Sequence, residues 1–241
     1  MDVLIFRLYG PLASWGEAAG ETRPTATHPG RSAIIGLLAA ALGIRRNEEE
    51  QFLKLRAAVQ IAVKQLSPGS YLEDYHTTQV PGKQRKIFYN SRREEIVNSK
   101  KLNTILSTRQ YRCDGLWVVA IRLIEESNWT LPQILEALLK PKFVLYLGRK
   151  SCPVGAPLTP KIVNAVGLKE VLDTPFLSLL DDNKTDRRYL SLNDECDYYW
   201  EGETCDMQPS HSQSIYDEPL SRARWQFGPR IEKYYRGKGG I

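Results

Sequence analysis

The order of apolar segments along the chain constrains its fold more than any other feature of the sequence. Short β-prone apolar runs predict strands, and apolar residues that recur every three or four positions predict helices. The segments are, in order, strand-like Val3–Tyr9, helical Ala33–Leu42 and Glu48–Ala58, strand-like Val59–Val63 and Leu116–Leu123, a helix that begins near Thr130, and strand-like Phe143–Tyr146. We expect Val3–Tyr9 to be an internal strand.

A repeated strand–helix–strand series is typical of an α+β, ferredoxin-like sheet, which is also the topology of RNA-recognition (RRM-like) domains. Between its two halves, Leu72–Gln79 and Thr104–Arg112 are strand-like and flank a basic, turn-rich segment around Pro81. We predict that residues 72–113 form a protruding β-hairpin thumb. The RRM-like domain then spans residues 1–155, and residues 156–241, in which Arg188–Ser191 is strand-like, form a C-terminal extension packed on it.

The segment Pro11–Arg31 is rich in glycine and proline, which predicts a long loop before the first helix. Ser32 is placed to cap that helix by accepting hydrogen bonds from its first N–H groups. Helix N-termini attract phosphate, because their free N–H groups and the helix dipole favour negative charge. Trp15, Arg23, Arg31 and Ser32 are therefore candidate contacts for a nucleic acid. The alternative is that Trp15 is a packing residue and Ser32 only a cap.

Charge is unevenly distributed along a chain whose composition, 42% hydrophobic and 25% charged with a net charge of +5, is that of an ordinary globular protein. Nine basic residues and only two acidic ones lie between positions 83 and 112. Among the charged residues of the stretch 173–206, acidic ones predominate, and basic ones predominate after it. This segregation predicts one surface that meets phosphates and another that avoids them.

Cysteine and histidine are too scattered to suggest a metal site. The four cysteines and three histidines include no CxxC pair, so we expect no zinc site, no disulfide framework, no cofactor and a reducing, cytoplasmic setting. The longest apolar stretch, Ala33–Ile44, has about a dozen residues, and a bilayer span needs ~20. The sequence therefore predicts no membrane anchoring, and its start does not resemble an export signal.

Aromatic residues are interleaved with the basic residues of the predicted hairpin. Aromatic rings stack on unpaired bases while cations hold phosphates, a combination typical of single-stranded RNA binding. The candidate contacts on the hairpin are Lys83, Arg85, Lys86, Arg109 and Tyr111, with Phe88 and Tyr89 nearby. A charged hairpin that is merely solvated is the alternative.

A glycine-containing turn follows the predicted strand Phe143–Tyr146. Gly148 permits a close backbone approach, and Arg149, Lys150 and Ser151 place charge and a hydroxyl beside it. The turn is a candidate RNA clamp, and a plain turn with exposed charges is the alternative.

The sequence Asp74-Tyr75-His76 raises the possibility of acid–base catalysis, because a histidine beside a lysine can cleave RNA through the RNA's own 2′-hydroxyl. No second histidine is fixed near His76 by the sequence. A structural role for His76 is the alternative.

Five segments, taken in chain order, carry a family resemblance: GPLASWG, ETRPT, PGRSAIIGLLAAALGI, LEDYHTTQ and LLKPKFVLYLGRKSCP. Together they resemble the CasD (Cas-five) family of type I-E CRISPR complexes. The resemblance covers about residues 1–155, roughly two thirds of the chain. The tip of the hairpin and everything beyond Pro160 depart from the family pattern.

The resemblance implies an RRM-like domain with a thumb, which holds the 5′ handle of the CRISPR guide RNA at one end of a Cascade complex. It implies two protein partners, the backbone subunit (Cas-seven, CasC) and the large subunit (CasA), and an indirect relation to target DNA. A separate subunit cleaves precursor RNA in type I-E systems, so this family is expected to bind RNA without cleaving it. The contacts carried over are Trp15, Arg23, Arg31, Ser32, Arg109, Tyr111 and Gly148–Ser151.

Two other functions stay open at this point. The first is a metal-independent endoribonuclease, like the type I-C relatives of the family, with His76, Tyr75 or a thumb lysine as acid or base. The second is a protein-interaction module whose basic face binds an acidic partner.

Overall fold

A computed structural model describes residues 1–16, 20–82, 88–97, 101–124, 127–221 and 223–239. The strands in these residues are β1 (Asp2–Gly10), β2 (Thr22–Arg23), β3 (Val59–Ser67), β4 (Ser70–Pro81), β5 (Leu102–Cys113), β6 (Gly115–Leu123), β7 (Lys161–Asn164), β8 (Glu195–Trp200), β9 (His211–Ser221) and β10 (Gln226–Lys238). The helices are α1 (Arg31–Leu42), α2 (Glu49–Ala58), α3 (Arg92–Val97), α4 (Leu131–Leu139), α5 (Leu168–Leu172) and α6 (Asn183–Tyr189). The mixed α+β class predicted from the apolar segments is confirmed.

Seven strands form one sheet in the order β7-β1-β6-β3-β8-β10-β9, and all neighbouring pairs are antiparallel. A smaller sheet has the order β2-β5-β4, and β4 pairs with β5 along its whole length, from Ser70 opposite Cys113 to Pro81 opposite Leu102. The β4–β5 pair forms the connection between β3 and β6 along the chain, and β3 and β6 are hydrogen-bonded neighbours in the large sheet. Strand β1 is internal, as predicted.

Both faces of the large sheet are buried around β1, β6 and β3, which explains why β1 and β6 are mostly apolar rather than alternating. On β1, Leu4, Phe6 and Leu8 pack with α1 and α4, whereas Val3 and Ile5 belong to the core on the opposite face. The second core is completed largely by residues from the C-terminal third of the chain, among them Val171, Leu172, Tyr198, Trp200 and Met207.

Helix α1 is buried on nearly all sides, as predicted, but it does not begin in the predicted way. Gly30 occupies the N-cap position, and Ser32 lies in the first turn. The Arg31 N–H instead donates to the Asp217 carboxylate of β9 at 2.6 Å. The predicted Ser32 cap is therefore wrong, because a carboxylate distant in sequence takes its place. At the other end, Gly43 has a φ of 81°, the left-handed conformation that glycine adopts easily.

The predicted strand Phe143–Tyr146 is wrong. The N–H groups of Lys142 and Phe143 donate to the carbonyl oxygens of Ala41 (3.0 Å) and Ala40 (3.2 Å) at the C-terminus of α1. These carbonyls lie in the last turn of α1, where helix acceptors are left to bind donors from outside the helix, and these bonds hold the segment away from the sheet. Strand β7 pairs with β1 instead. The predicted capping of α4 by Thr130 is confirmed as a reciprocal capping box with Gln133.

The strand-like Arg188–Ser191 is also predicted wrongly. Residues 183–189 form α6, because the Asp182 side chain caps it by accepting from the Thr185 N–H at 2.7 Å. Strands β7 to β10 all lie beyond residue 156, and all of them join the large sheet. No helix in the described part of the chain has both the length and the apolar character needed to cross a membrane.

Candidate nucleic-acid interface

The first loop, strand β5 and the Gly148 turn lie against one another. Ala13 and Arg112 exchange two backbone hydrogen bonds of 2.8 Å, which join the loop to β5. The Ser14 N–H donates to the carbonyl of Leu147 at 3.1 Å, and the Ser14 hydroxyl donates to the carbonyl of Gln110 at 2.9 Å. The loop is therefore fixed between the strand and the turn.

Gly148 is required where loop and turn meet. Its φ is +83°, and a Cβ added there would lie 1.8 Å from the carbonyl oxygen of Ser14. Such a separation is far inside van der Waals contact, so any larger residue would push the turn and the loop apart. The sequence-based expectation of a close backbone approach at Gly148 fits this geometry.

Trp15 anchors the first loop to the hydrophobic core. Only 2% of Trp15 is exposed, and its ring packs edge-on against Trp117 with centroids 5.3 Å apart. The Trp15 N–H donates to the hydroxyl of Thr25 at 2.9 Å, and the Thr25 N–H donates to the side-chain oxygen of Gln110 at 3.3 Å. The structure thus places Trp15 in the core, as the alternative of a packing residue predicts. Its hydrogen bond to Thr25 also helps to fix the first loop.

Three arginines converge on one face of the small sheet. Arg23 on β2 lies directly opposite Arg109 on β5, so both project to the same face, and Tyr111 is two residues further along β5 on that face. The guanidinium of Arg149 lies over the Tyr111 ring, 5.2 Å from its centroid, and donates to the carbonyl of Arg23 at 3.1 Å. Of the three arginines, Arg23 comes from the first loop, Arg109 from the hairpin and Arg149 from the glycine turn.

The three guanidinium groups have no acidic partner in the described part of the chain. Within the described residues, no carboxylate forms an ion pair with Arg23, Arg109 or Arg149. Three half-buried like charges in one place repel one another and raise the local electrostatic potential. This arrangement attracts an anion.

Three N–H donors of Trp15, Arg109 and Arg149 are buried and have no acceptor within the described residues. They are Nε1 of Trp15, Nε of Arg109 and Nη1 of Arg149. A buried donor without an acceptor costs roughly 1–3 kcal/mol, more when it is charged. An oxyanion that reached these atoms after a small side-chain movement would remove that cost.

The same face carries Asp74 and His76, two of the residues considered for catalysis, whereas Tyr75 alternates to the other face. Asp74 lies opposite Arg109, and His76 lies opposite Ser107. The Nδ1 of His76 is 3.8 Å from a carboxylate oxygen of Asp74, and both side chains are nearly half exposed. The pair therefore faces solvent beside the arginines, with a carboxylate positioned to orient the imidazole.

The other predicted contacts lie at different places. Lys150 and Ser151 are exposed on the glycine turn, next to Arg149. Ser32 is half-buried on α1. Lys83, Arg85 and Lys86 lie outside the described residues.

Arg31 is separated from the three arginines by its own set of partners. Its guanidinium is buried, donates to the carbonyl oxygens of Val59 (2.9 Å) and Arg56 (2.6 Å), and forms ion pairs with Glu201 and Glu218. Its RNA contact stays a prediction. The N-terminus of α1, expected to attract phosphate, already accommodates the carboxylate of Asp217.

Sequence reasoning missed two residues that organise the site. Gln110 bonds to the loop through Thr25, and Arg112 donates to the carbonyl of Ala26 at 3.3 Å while lying 5.7 Å from the centroid of the Tyr71 ring. The sequence signal that could have found them is the alternation of side chains along β5. Arg109 and Tyr111 lie on one face of the strand, and Gln110 and Arg112 lie on the other. No group of three or more His, Cys, Asp or Glu residues in the described ranges is arranged to hold a metal ion.

Comparisons with known proteins agree with one another. A family model described as CRISPR-associated protein (Cas_Cas5) matches residues 3–231 of the chain. The CRISPR system Cascade subunit CasD of Escherichia coli strain K12 is 36% identical over 164 residues, which cover 64% of this chain and 68% of that protein.

Two solved structures share the fold. One chain of a CRISPR RNA-guided surveillance complex is 25% identical with a TM-score of 0.66, and the match covers 99% of this chain and 90% of that one. A solved Cas protein is 24% identical with a TM-score of 0.64, and the match covers 98% of this chain and 95% of that one.

Proposed function

Because the chain belongs to the CRISPR-associated protein (Cas_Cas5) family, we propose that it is the subunit of a type I-E Cascade surveillance complex that holds the 5′ handle of the guide RNA. In this role it binds RNA without cleaving it, in the cytoplasm, as part of antiviral defence. Its protein partners are the backbone subunit CasC and the large subunit CasA, and it meets target DNA only indirectly.

The observation that carries the proposal is the convergence of Arg23, Arg109 and Arg149 beside Tyr111, with no carboxylate partner among the residues that the structure describes. Phosphate oxygens are the acceptors that guanidinium groups bind best, often through two parallel hydrogen bonds. A single-stranded handle brings several phosphates and unpaired bases close together. Contacts to the phosphates hold such a strand in place, and contacts to base edges give sequence preference.

The β4–β5 hairpin suits the role of the thumb. It projects from between two neighbouring strands of the large sheet, and it exposes apolar side chains, among them Tyr75 (65% exposed) and Leu106 (45% exposed). Apolar side chains on an otherwise solvated hairpin favour contact with another subunit. We propose that the hairpin packs against neighbouring subunits while its base supports the RNA.

The strand order supports a ferredoxin-like, RRM-like core. Strands β7, β1, β6 and β3 are adjacent in that order, with α1 in the connection from β1 to β3 and α4 in the connection from β6 to β7. In this proposal β7 supplies the fourth strand, so the core ends after β7 rather than at residue 155. The residues after β7 then form the C-terminal extension, which widens the same sheet.

The test of RNA binding compares two arginine variants of the purified protein with handle RNA. Arg149→Ala removes a charged donor from the site and should weaken binding about tenfold, the effect of roughly 1.4 kcal/mol for one charge-assisted hydrogen bond. Arg46→Ala, which removes an equal charge from an exposed position, is the control. Guide-RNA content of complexes purified with each variant provides the second measurement.

Equal RNA affinity and equal guide-RNA content for the two variants would refute the site. The same preparation, incubated with precursor repeat RNA, tests the non-catalytic role, because His76 and Asp74 are the groups on this face that could act as an acid–base pair. Specific cleavage that disappears in His76→Ala would replace the binding role with an endoribonuclease.

A further inference from the structure

We propose a second nucleic-acid contact at the turn between β9 and β10, where Trp225 stacks on an unpaired base and Arg224 holds an adjacent phosphate. The ligand class is single-stranded nucleic acid, RNA or DNA. The contact shares no residue with the Arg23, Arg109 and Arg149 site. It therefore goes beyond the handle-binding role, and it can be tested separately.

Trp225 differs from every other tryptophan of the protein in its exposure. Trp15, Trp117 and Trp200 are at most 2% exposed, and Trp129 is half-buried, whereas Trp225 is 50% exposed. An indole ring contributes a large apolar surface, which a folded protein normally buries. Half of that surface is left available at Trp225.

The ring of Trp225 is held in place rather than left to move freely. Phe227 packs against it edge-on, with centroids 5.9 Å apart and an interplanar angle of 87°. The turn is tied to the body of the protein, because the Arg224 N–H donates to the hydroxyl of Ser221 and that hydroxyl bonds to Glu49 of α2 at 2.5 Å. A stacking platform that is fixed in advance loses little entropy when a base binds.

The backbone at Trp225 is in an unusual conformation. Its φ is 56°, in the left-handed region that bulky side chains rarely adopt. Residues held in such conformations concentrate at functional sites. The turn thus keeps a strained backbone and directs an aromatic residue to solvent, where a smaller residue would be easier to accommodate.

Charge at the turn specifies an anionic ligand. Arg224 is exposed, and no described carboxylate pairs with it. Arg230 of the same hairpin, by contrast, is bound by Asp217 at 2.5 Å and by Glu232 at 2.6 Å. An unpaired cation beside an exposed aromatic ring is the combination that binds a phosphate and its base together. The apolar neighbour Leu220 would also suit a protein, which is one outcome of the test.

Intrinsic fluorescence reports on this contact directly, because Trp225 is the most exposed tryptophan. We expect titration with a single-stranded oligouridylate to quench the emission to saturation. The quenching should be lost in Trp225→Phe and kept in Trp129→Phe. Anisotropy of a labelled oligonucleotide compares two proteins that both carry Arg149→Ala. The one that also carries Trp225→Ala should bind about tenfold more weakly, as expected for the loss of one stacked base. A deoxyuridylate of equal length distinguishes DNA from RNA.

The outcomes separate this contact from the handle site. Quenching of Trp225 that persists in Arg149→Ala supports the second contact even if the handle proposal fails. The second contact is refuted by equal quenching in wild type and Trp225→Phe, or by binding that Trp225→Ala leaves unchanged. It is refuted as well if a photo-crosslinker at position 225 of the assembled complex labels protein subunits and no nucleic acid.

Discussion

The arginines where α1, α2 and the β9–β10 hairpin meet differ from those around Tyr111 in their partners. The paired arginines are Arg31, Arg56 and Arg230, and each of them has at least one carboxylate within ion-pair distance. The unpaired arginines are Arg23, Arg109 and Arg149, and none of them has one among the described residues. Both sets lie half-buried or deeper, so exposure does not distinguish them.

The difference separates arginines that belong to the fold from arginines that are available to a ligand. A buried charge must be paired, because its desolvation is otherwise unfavourable by several kcal/mol. Arg31 and Arg56 bind the β9–β10 hairpin to the N-terminal helices through Glu218, and Arg230 binds Asp217 and Glu232 within the hairpin, so the charge of each is already neutralised. The unpaired arginines keep a positive potential that an external anion can neutralise.

The largest expected effect is on stability, in Arg31→Ala. This substitution leaves Glu201 and Glu218 in a largely buried place without their shared cation, and such a loss costs roughly 3–5 kcal/mol. Burial already raises the pKa of Glu201, and Arg31 opposes that rise. The free energy of unfolding, measured by urea denaturation of the isolated chain, tests the expectation.

Arg109→Ala is the matched control for stability. It removes a guanidinium that has no ion pair and whose buried Nε has no acceptor among the described residues, so we expect its free energy of unfolding to fall by no more than about 0.5 kcal/mol from wild type. The distinction between the two sets fails if Arg31→Ala and Arg109→Ala unfold at the same urea concentration.

The unpaired arginines should dominate the salt dependence of RNA binding. Each phosphate contact to a single strand contributes about 0.7 to the slope of the logarithm of affinity against the logarithm of salt concentration. Replacing Arg23, Arg109 and Arg149 by glutamine should therefore reduce the slope by about 2. The measurement is a series of RNA-binding titrations at increasing salt. A slope equal to that of wild type would mean that phosphates are bound elsewhere.

Sequence reasoning named Arg31 together with Arg23, Arg109 and Arg149, and it could not distinguish the paired arginine from the unpaired ones, for a physical reason. Arg109, Arg149 and Arg23 lie in local motifs, a strand, a glycine turn and a loop, whose chemistry can be recognised one segment at a time. The carboxylate partners of Arg31 are 170 or more residues away, on β9 and at the end of β8. No local sequence pattern predicts ion pairs between residues so far apart in the chain.

The acidic stretch 173–206 illustrates the same limit. Its uneven charge predicted a surface that avoids phosphate, whereas several of its carboxylates are structural. Asp173 accepts from Lys64 (2.7 Å) and Tyr198 (2.6 Å), and Asp186 accepts from two backbone N–H groups. Burial works to raise the pKa of Asp173, but its bonds to Lys169, Lys64 and Tyr198 outweigh burial and the pKa is lowered. Which carboxylates serve the fold depends on tertiary contacts that the sequence alone does not supply.

The smallest expected effect is on pH dependence and concerns Glu232, which binds Arg230 and lies 3.2 Å from His28. Burial tends to raise the pKa of Glu232, but the bonds and charges of His28 and Arg230 outweigh it and the pKa lies below the ordinary 4.5. Because the folded pKa is depressed, Glu232 stabilises the protein fully above that ordinary value, and the contribution is lost as pH falls through the folded pKa.

Glu232→Gln cannot lose a proton, so it should be less stable than wild type at pH 7 and should lose less stability between pH 7 and about pH 3.5. Urea denaturation at the two pH values measures this difference, and Glu203→Gln, whose side chain is 91% exposed, is the control. Other carboxylates with lowered pKa values titrate equally in all three proteins and cancel in the comparison. If Glu232→Gln and Glu203→Gln show the same acid sensitivity, then the ion pairs of the paired arginines do not hold the hairpin through Glu232.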